Sequence, residues 1–269
     1  MTLPLDQHRL LEALDLAASA IGTTEPNPRV GCVIGTADGQ LLSRGATQQA
    51  GGPHAEVMAL RDAAAQGCDV RGATAWVTLE PCAHHGSTPP CCDALIAAGV
   101  ARVVVALQDP FAQVAGTGLE RMRAAGVQVD MADADIAEAA WNLNIGFFSR
   151  LLRQRPWVRL KVAASLDGRT ALDNGQSQWI TGAAARADGH AWRKRASAVL
   201  TGIGTVLADD PRLDVRLVPS TWQPLRVVVD STLRTPPGAR LLAPPGQVLI
   251  ATALASPVTK LQAIGGNGG

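Results

Sequence analysis

The sequence has few aromatic residues and no excess of charge of either sign. It contains no tyrosine, and aromatic residues make up 3% of its 269 positions. Its 24 lysines and arginines are balanced by 23 aspartates and glutamates, which leaves a formal net charge of +1. Proteins that bind RNA use basic surfaces and aromatic side chains on which bases stack. The composition therefore argues against a nucleic-acid partner.

Long hydrophobic runs are also missing. The longest strand-like apolar run is 103–107, whereas a membrane-spanning helix needs roughly 20 apolar residues. The amino terminus has no basic region followed by an apolar block, as a secretory signal would have. We therefore expect a cytoplasmic protein without a membrane partner.

The sequence does contain enough apolar residues for a core, and a cluster of cysteines. Hydrophobic residues make up 47% of the chain and charged residues 17%, so the chain can form one large domain or two of ordinary size. Three of the five cysteines, Cys82, Cys91 and Cys92, crowd one short segment. In a reducing compartment this clustering indicates a metal site or catalysis before disulfides.

Apolar periodicity predicts an α/β chain. In the first part, an amphipathic helix that stops at Gly22 precedes alternating strands and helices. The expected strands are 30–34, 75–79, 102–107 and 127–129, and the expected helices are 55–65, 91–98 and 119–125.

A basic stretch that ends in Pro156 predicts a boundary between two domains, 1–150 and 151–269. In the second domain, the alternation of Val158, Leu160 and Val162 predicts a strand. The glycine-rich end is expected to form a frayed tail. Further strands are expected at 198–201, 226–229 and 247–250.

Three residues at the ends of predicted elements have side chains that bind zinc. His54 stands at the start of one predicted helix, Cys82 follows a predicted strand, and Cys91 opens the next helix. One imidazole and two thiolates suit Zn²⁺ and leave the fourth tetrahedral position to water, as in catalytic sites. Such a site carries no net charge and acidifies its water less than a site with only histidine ligands would, so a nearby base is needed. Glu56, two residues from His54, is the candidate base.

Other interpretations of these residues remain open. A structural zinc site could use as its fourth ligand Cys92, His84 or His85. Adjacent residues on a helix point about 100° apart, which makes Cys91 and Cys92 a poor chelating pair. We expect the cysteines outside the ligand set to be buried small apolar residues. Asn27, between two prolines, could be a turn residue.

The pattern His-x-Glu, followed by Pro-Cys and a second cysteine, is typical of zinc deaminases. Here the insert 83–90 separates the two cysteines, and the segment 26–31 reads Pro-Asn-Pro-Arg-Val-Gly. Together these motifs resemble the deaminase domain of the bifunctional deaminase/reductase family of riboflavin biosynthesis, from about residue 10 to residue 144. That family usually has a basic residue where this chain has Ser87. The resemblance implies a proton shuttle at Glu56, zinc ligands at His54, Cys82 and Cys91, and substrate contacts at Asn27 and His84.

The second domain has a Gly-x-Gly loop at 202–204, after a predicted strand. Such a loop can present backbone N–H groups to phosphates, but the third glycine of a dinucleotide fingerprint is absent, and a turn or packing role is equally open. Taken in order, the segments 161–170, 177–182 and 201–211 resemble the reductase half of the same family. This resemblance implies a fold similar to dihydrofolate reductase and NADPH as the cofactor.

The same resemblance implies which residues of the second domain approach the ligands. Those near the nicotinamide cofactor would be Ala163, Trp179, Thr205, Asp209 and Ser231. Those near the substrate would be Ser177, Arg193, Leu213 and Arg216. Guanidinium groups bind phosphate oxygens bidentately, although an isolated arginine is otherwise expected on a solvated face.

The two resemblances together imply a cytidine-deaminase-like α/β/α domain followed by a dihydrofolate-reductase-like α/β domain. The expected reactions are zinc-dependent deamination of 2,5-diamino-6-(5-phosphoribosylamino)pyrimidin-4-one and NADPH-dependent reduction of the ribosyl chain to ribityl. The chain ends before a further glycine-rich loop of that family, so we expect an incomplete reductase domain and an impaired second step. Two alternatives remain: a deaminase whose second domain is structural or forms a homo-oligomer, and a deaminase of another nucleoside or of RNA.

Overall fold

The computed structural model describes residues 4–84, 89–111 and 115–253, so Ser87, His85 and the tail 265–269 lie outside the described residues. The chain divides into two compact units, Met1–Val158 and Arg159–Gly269. The boundary expected after residue 150 stays a prediction, and the helix at that point continues to Arg153. Within the described ranges, no helix is both long and apolar enough to span a bilayer.

The first unit is built on a mixed β-sheet. Its strands are β1 (Gly31–Gly35), β2 (Leu41–Ala46), β3 (Thr74–Val77), β4 (Arg102–Val105) and β5 (Gln128–Met131). Its helices are α1 (Leu5–Ser19), α2 (Ala55–Ala65), α3 (Cys91–Ala97), α4 (Thr117–Ala124), α5 (Ala134–Leu143) and α6 (Ile145–Arg153). The strand order is β2-β1-β3-β4-β5, in which β1 is antiparallel to both neighbours and the last three strands run parallel.

Helices cover both faces of this sheet. Cys32 and Ile34 of β1 pack in one cluster with Ala59 of α2, whereas Val33 packs in a second cluster with Leu10 of α1. Successive residues of a strand point to opposite faces, so β1 is buried on both sides and reads as a continuous apolar run. This is the predicted α/β/α arrangement.

Helix α2 approaches β2 very closely at one glycine. A Cβ added at Gly45 would lie 2.3 Å from the carbonyl oxygen of Ala55 and 2.4 Å from the nitrogen of Ala59. The helix presents small buried residues to the strand, including Ala63. A helix with this face can lie close to the sheet, which determines the position of its first turn.

The second unit has a smaller, parallel sheet. Its elements are α7 (Ala183–Lys194), β6 (Ala198–Gly202), α8 (Ile203–Asp209), β7 (Leu225–Val229) and β8 (Val248–Ala251), with strand order β6-β7-β8. One face packs on a cluster that includes Val206 and Leu241. On the other face, Leu200, Val229 and Leu249 are 68%, 45% and 51% exposed. Parallel sheets are normally covered on both faces.

Most predicted elements are confirmed, because each predicted helix and all but one predicted strand overlap an observed element. The strand predicted from Val158, Leu160 and Val162 is wrong. These side chains are 79%, 85% and 59% exposed, and no strand among the described residues pairs with this stretch. A strand needs a neighbouring strand for its backbone hydrogen bonds. An alternating apolar pattern alone does not show that such a neighbour exists. The sequence patterns also fail to predict β2 and the helices α5, α6, α7 and α8.

Replacing Gly45 by alanine is expected to destabilise the first unit, because the new methyl group would overlap the backbone of α2. Overpacking of this kind lowers the free energy of unfolding by about 1–3 kcal/mol. Gly146→Ala is the matched control, since nothing lies within 4 Å of a Cβ at that position. Urea denaturation measures both variants, and equal stability would contradict the close approach.

Candidate metal centre and active-site cavity

The three predicted zinc ligands meet in one place. His54 immediately precedes α2, Cys82 lies in the loop after β3, and Cys91 is the first residue of α3. The Nδ1 atom of His54 lies 3.3 Å from the Sγ of Cys91 and 3.6 Å from the Sγ of Cys82. All three ligand atoms are within 4.8 Å of one another. Segments far apart in sequence therefore form one cluster of metal donors.

The spacing of these donor atoms fits a zinc ion. Tetrahedral Zn²⁺, with bonds of about 2.1 Å to nitrogen and about 2.3 Å to sulfur, places such donors roughly 3.5 Å apart. In the cluster, a hydrogen bond from Cys91 lowers the pKa of Cys82 to about 4 and raises the pKa of Cys91. A metal ion between the sulfurs would replace the shared proton and hold both side chains as thiolates.

Glu56 is a buried carboxyl group beside this cluster. It lies in the first turn of α2 and is 3% exposed. Burial raises the pKa of Glu56 to about 7, and the negative charge of Cys82 contributes to the increase. A carboxyl group with this pKa can take up and release a proton near neutral pH, as a proton shuttle must.

A cavity of about 340 Å³ opens beside the cluster. It is lined by His54, Glu56 and Cys82, and also by the two predicted substrate residues, Asn27 and His84. The backbone N–H of Asn27 donates to Thr24 at 2.9 Å, so Asn27 is a turn residue as well as a cavity residue. The volume lies in the usual range for small-molecule sites.

Two acidic residues of this cavity are not singled out by the sequence motifs. Glu80 follows β3, Asp109 follows β4, and both line the cavity. Burial raises the pKa of Asp109. The available signal is positional: β3 and β4 are parallel, and polar residues just beyond the carboxyl ends of parallel strands often form sites in α/β proteins.

The structural four-ligand alternative receives no support from the described residues. Cys92 belongs to the core cluster, its Sγ lies 3.7 Å from Asp93 Oδ1, and burial raises the pKa of Cys92 to about 11. His84 lines the cavity but does not belong to the donor cluster. Of the other cysteines, Cys32 is buried as expected, whereas Cys68 is only half-buried.

In the second unit, three predicted substrate residues meet around Asp214, which is 3% exposed. Arg216 binds its Oδ1 at 2.5 Å, and Arg193 donates to its carbonyl oxygen at 3.1 Å. Arg212 binds the other carboxylate oxygen at 2.9 Å. Leu213, between Arg212 and Asp214, has a φ of 57°. Two guanidinium groups bind the carboxylate and a third binds the backbone carbonyl of the same residue. The group therefore has an excess of positive charge, which suits a phosphate.

The predicted cofactor residues of this unit are brought together only in part. Asp209, at the end of α8, has its Oδ1 atom 3.4 Å from the Oγ of the predicted substrate residue Ser177, and the same helix carries Thr205. Trp179 is 67% exposed. Ala163 is half-buried and Ser231 is exposed.

Two protein-family models match the chain. The cytidine and deoxycytidylate deaminase zinc-binding region matches residues 4–107. The RibD C-terminal domain matches residues 156–265. The first match includes the metal cluster and Glu56, and the second includes the arginines around Asp214.

The chain is similar to curated proteins over most of its length. It is 50% identical over 258 residues to the riboflavin biosynthesis protein RibD of Escherichia coli (strain K12), covering 91% of this chain and 69% of that protein. It is 45% identical over 238 residues to the riboflavin biosynthesis protein RibD of Aquifex aeolicus (strain VF5), covering 88% of this chain and 65% of that protein.

Solved structures show the same similarity. Acinetobacter baumannii RibD, form 1, has 45% identity and a TM-score of 0.81, with 97% of this chain and 72% of that chain covered. The Thermotoga maritima diaminohydroxyphosphoribosylaminopyrimidine deaminase/5-amino-6-(5-phosphoribosylamino)uracil reductase has 39% identity and a TM-score of 0.85, with 93% of this chain and 70% of that chain covered.

This chain therefore spans between 65% and 72% of the length of these four relatives. The matches confirm the predicted fold class, the assignment to riboflavin biosynthesis, and the zinc and NADPH cofactors at the level of the family. The chain belongs to the RibD family of riboflavin biosynthesis proteins, in which a deaminase part precedes a reductase part.

Proposed function

We propose that the first unit catalyses the hydrolytic deamination of 2,5-diamino-6-(5-phosphoribosylamino)pyrimidin-4-one. The observation that carries this proposal is the position of the His54, Cys82 and Cys91 cluster and the buried Glu56 at one cavity. The Thermotoga maritima relative is named as a deaminase of a phosphoribosylated pyrimidine, which supports the substrate class.

The reaction replaces a ring amine by a carbonyl group. Bound to the three ligands, zinc would supply the Lewis acidity that makes a water molecule nucleophilic near neutral pH. Glu56 takes a proton from the attacking water as the water oxygen bonds to the amine-bearing ring carbon. Glu56 then delivers that proton to the amine, so that the C–N bond breaks, ammonia departs and the oxygen remains on the ring. Asn27 and His84, on the cavity wall, orient the pyrimidine ring.

For the second unit we propose NADPH-dependent reduction of the ribosyl chain to ribityl. Arg193 and Arg216 would hold the substrate phosphate, and the excess positive charge around Asp214 supports this role. The other proposed substrate residues are Ser177 and Leu213. The proposed cofactor residues are Ala163, Trp179, Thr205, Asp209 and Ser231.

A second candidate for this unit is a structural or oligomerising role. It is favoured by the apolar sheet face with exposed Leu200, Val229 and Leu249, because such faces often mark interaction surfaces. With either role, we propose a cytoplasmic enzyme that acts on a free small molecule and needs neither nucleic acid nor a membrane.

The variant Glu56→Gln is expected to retain about one zinc ion per chain and to lose deamination by roughly 10² to 10⁴-fold, because the change removes the proton shuttle and no metal ligand. Metal analysis and ammonia release measure the two effects separately. Near-normal turnover would overturn the role of Glu56.

The variants Cys82→Ala and Cys91→Ala are expected to lose zinc, because each removes a ligand from a three-ligand site. Cys92→Ala is the matched control and should keep the metal, since its side chain packs in the core. Metal analysis of the three purified proteins decides the matter. A metal-free Cys92 variant would instead favour the structural four-ligand site.

The 269-residue chain is expected to deaminate well and to reduce weakly, because the residues that the structure describes leave one face of the second unit's sheet exposed and bring the proposed reductase residues together only in part. Hydride transfer needs donor and acceptor carbons held about 3–3.5 Å apart. Ammonia release and NADPH oxidation are followed separately, and NADPH binding is titrated by fluorescence. Arg216→Ala is the control: it should lower only NADPH oxidation. Tight NADPH binding with fast reduction would contradict the expectation.

A further inference from the structure

The carboxylate of Glu80 accepts three backbone hydrogen bonds from a distant part of the first unit. Its Oε2 accepts from the N–H groups of Asp109 and Gly116 at 3.1 and 2.9 Å, and its Oε1 accepts from that of Gly118 at 2.9 Å. Glu80 is only 7% exposed. Both of its oxygens are therefore committed to the backbone, unlike the carboxyl of Glu56.

Two of these donors belong to the start of α4. The first N–H groups of a helix have no partners within the helix, and the N-cap residue, Gly116, has no side chain to supply one. Glu80 supplies the missing acceptor across a sequence distance of 36–38 residues. A carboxylate at this end also interacts favourably with the helix dipole.

Glycine is required at both positions for this contact. Gly116 has a φ of 79°, which favours glycine. A Cβ on Gly118 would lie 2.0 Å from the carbonyl oxygen of Pro81. The start of α4 therefore rests directly on the loop that carries the metal ligand Cys82.

We propose that Glu80 is a positioning residue for the deamination reaction: it holds Asp109 in the wall of the substrate cavity by tying the segments 109–111 and 115–118 to the Cys82 loop. Glu80 and Asp109 line the same cavity as the metal cluster. The inference rests on the proposed deaminase function. Glu80 acts through the backbone of Asp109, not on the reacting atoms.

The variant Glu80→Gln tests this role. An amide of the same size cannot accept all three hydrogen bonds, because its nitrogen is a donor. The amides of residues 109, 111 and 115–118 should then exchange hydrogen for deuterium about tenfold faster. The deaminase KM should also rise about tenfold, since hydrogen bonds to charged groups are among the stronger ones. Zinc content and kcat should stay within about twofold, because no ligand or proton shuttle is removed.

Glu120→Gln is the matched control, because Glu120 is an exposed glutamate in the first turn of the same helix. It should change neither the exchange rate nor the KM.

Unchanged exchange and KM in Glu80→Gln, or a loss of zinc in that variant, would overturn the proposal. If Glu80→Gln does not fold, Gly118→Ala must produce the faster exchange and higher KM, and a normal KM there would overturn it. The exchange measurement needs no activity, so it separates a failure of this inference from a failure of the deaminase assignment.

Discussion

The close contact between α2 and β2 at Gly45 is the constraint on which the metal cluster depends. The missing side chain at Gly45 and the alanines of α2 let the helix lie where larger side chains would hold it away from the sheet. His54 and Glu56 belong to the start of this helix, so any shift of the helix moves both together. The cysteines lie on other elements, and zinc ligands tolerate errors of only about 0.2 Å. Packing at Gly45 therefore bears on the positions of His54 and Glu56 relative to the two cysteines.

Glu56 and Glu80 line the same cavity and are both buried, yet their surroundings give them different chemistry. Glu56 lies beside the thiol groups of the metal cluster, and burial raises its pKa to about 7, which suits proton transfer. Glu80 is surrounded by backbone N–H groups, which occupy both of its oxygens. One glutamate can thus exchange protons with a substrate, while the other organises the cavity wall.

The sequence predicts the local elements and the metal ligands better than it predicts the cavity. The helices α2 and α3 end before Gly67 and Gly99, whose positive φ values are a local property of glycine. The cluster of His54, Cys82 and Cys91 could be predicted because the residue types and spacing of metal-binding motifs are specific. Glu80 and Asp109 could not, because their contact joins segments 29 residues apart. The prediction of a strand at 158–162 was wrong for a related reason. Alternation of apolar and polar residues does not reveal whether a partner strand exists.

Buried charges organise backbone loops in the second unit as well. Arg226 of β7 is 2% exposed and donates at 2.8–2.9 Å to three carbonyl oxygens of the loop 243–246. Asp230, fully buried just beyond β7, accepts two hydrogen bonds from Thr235 at 2.7 Å. Burying a charge is costly unless it is hydrogen-bonded, so each ion constrains the loop that satisfies it. Hydropathy patterns predict that charged residues such as Arg226 and Asp230 lie at the surface. They therefore do not predict the hydrogen bonds from these residues to the loops. Sites in α/β proteins are often built from loops at strand ends, and here two buried ions fix such loops around β7.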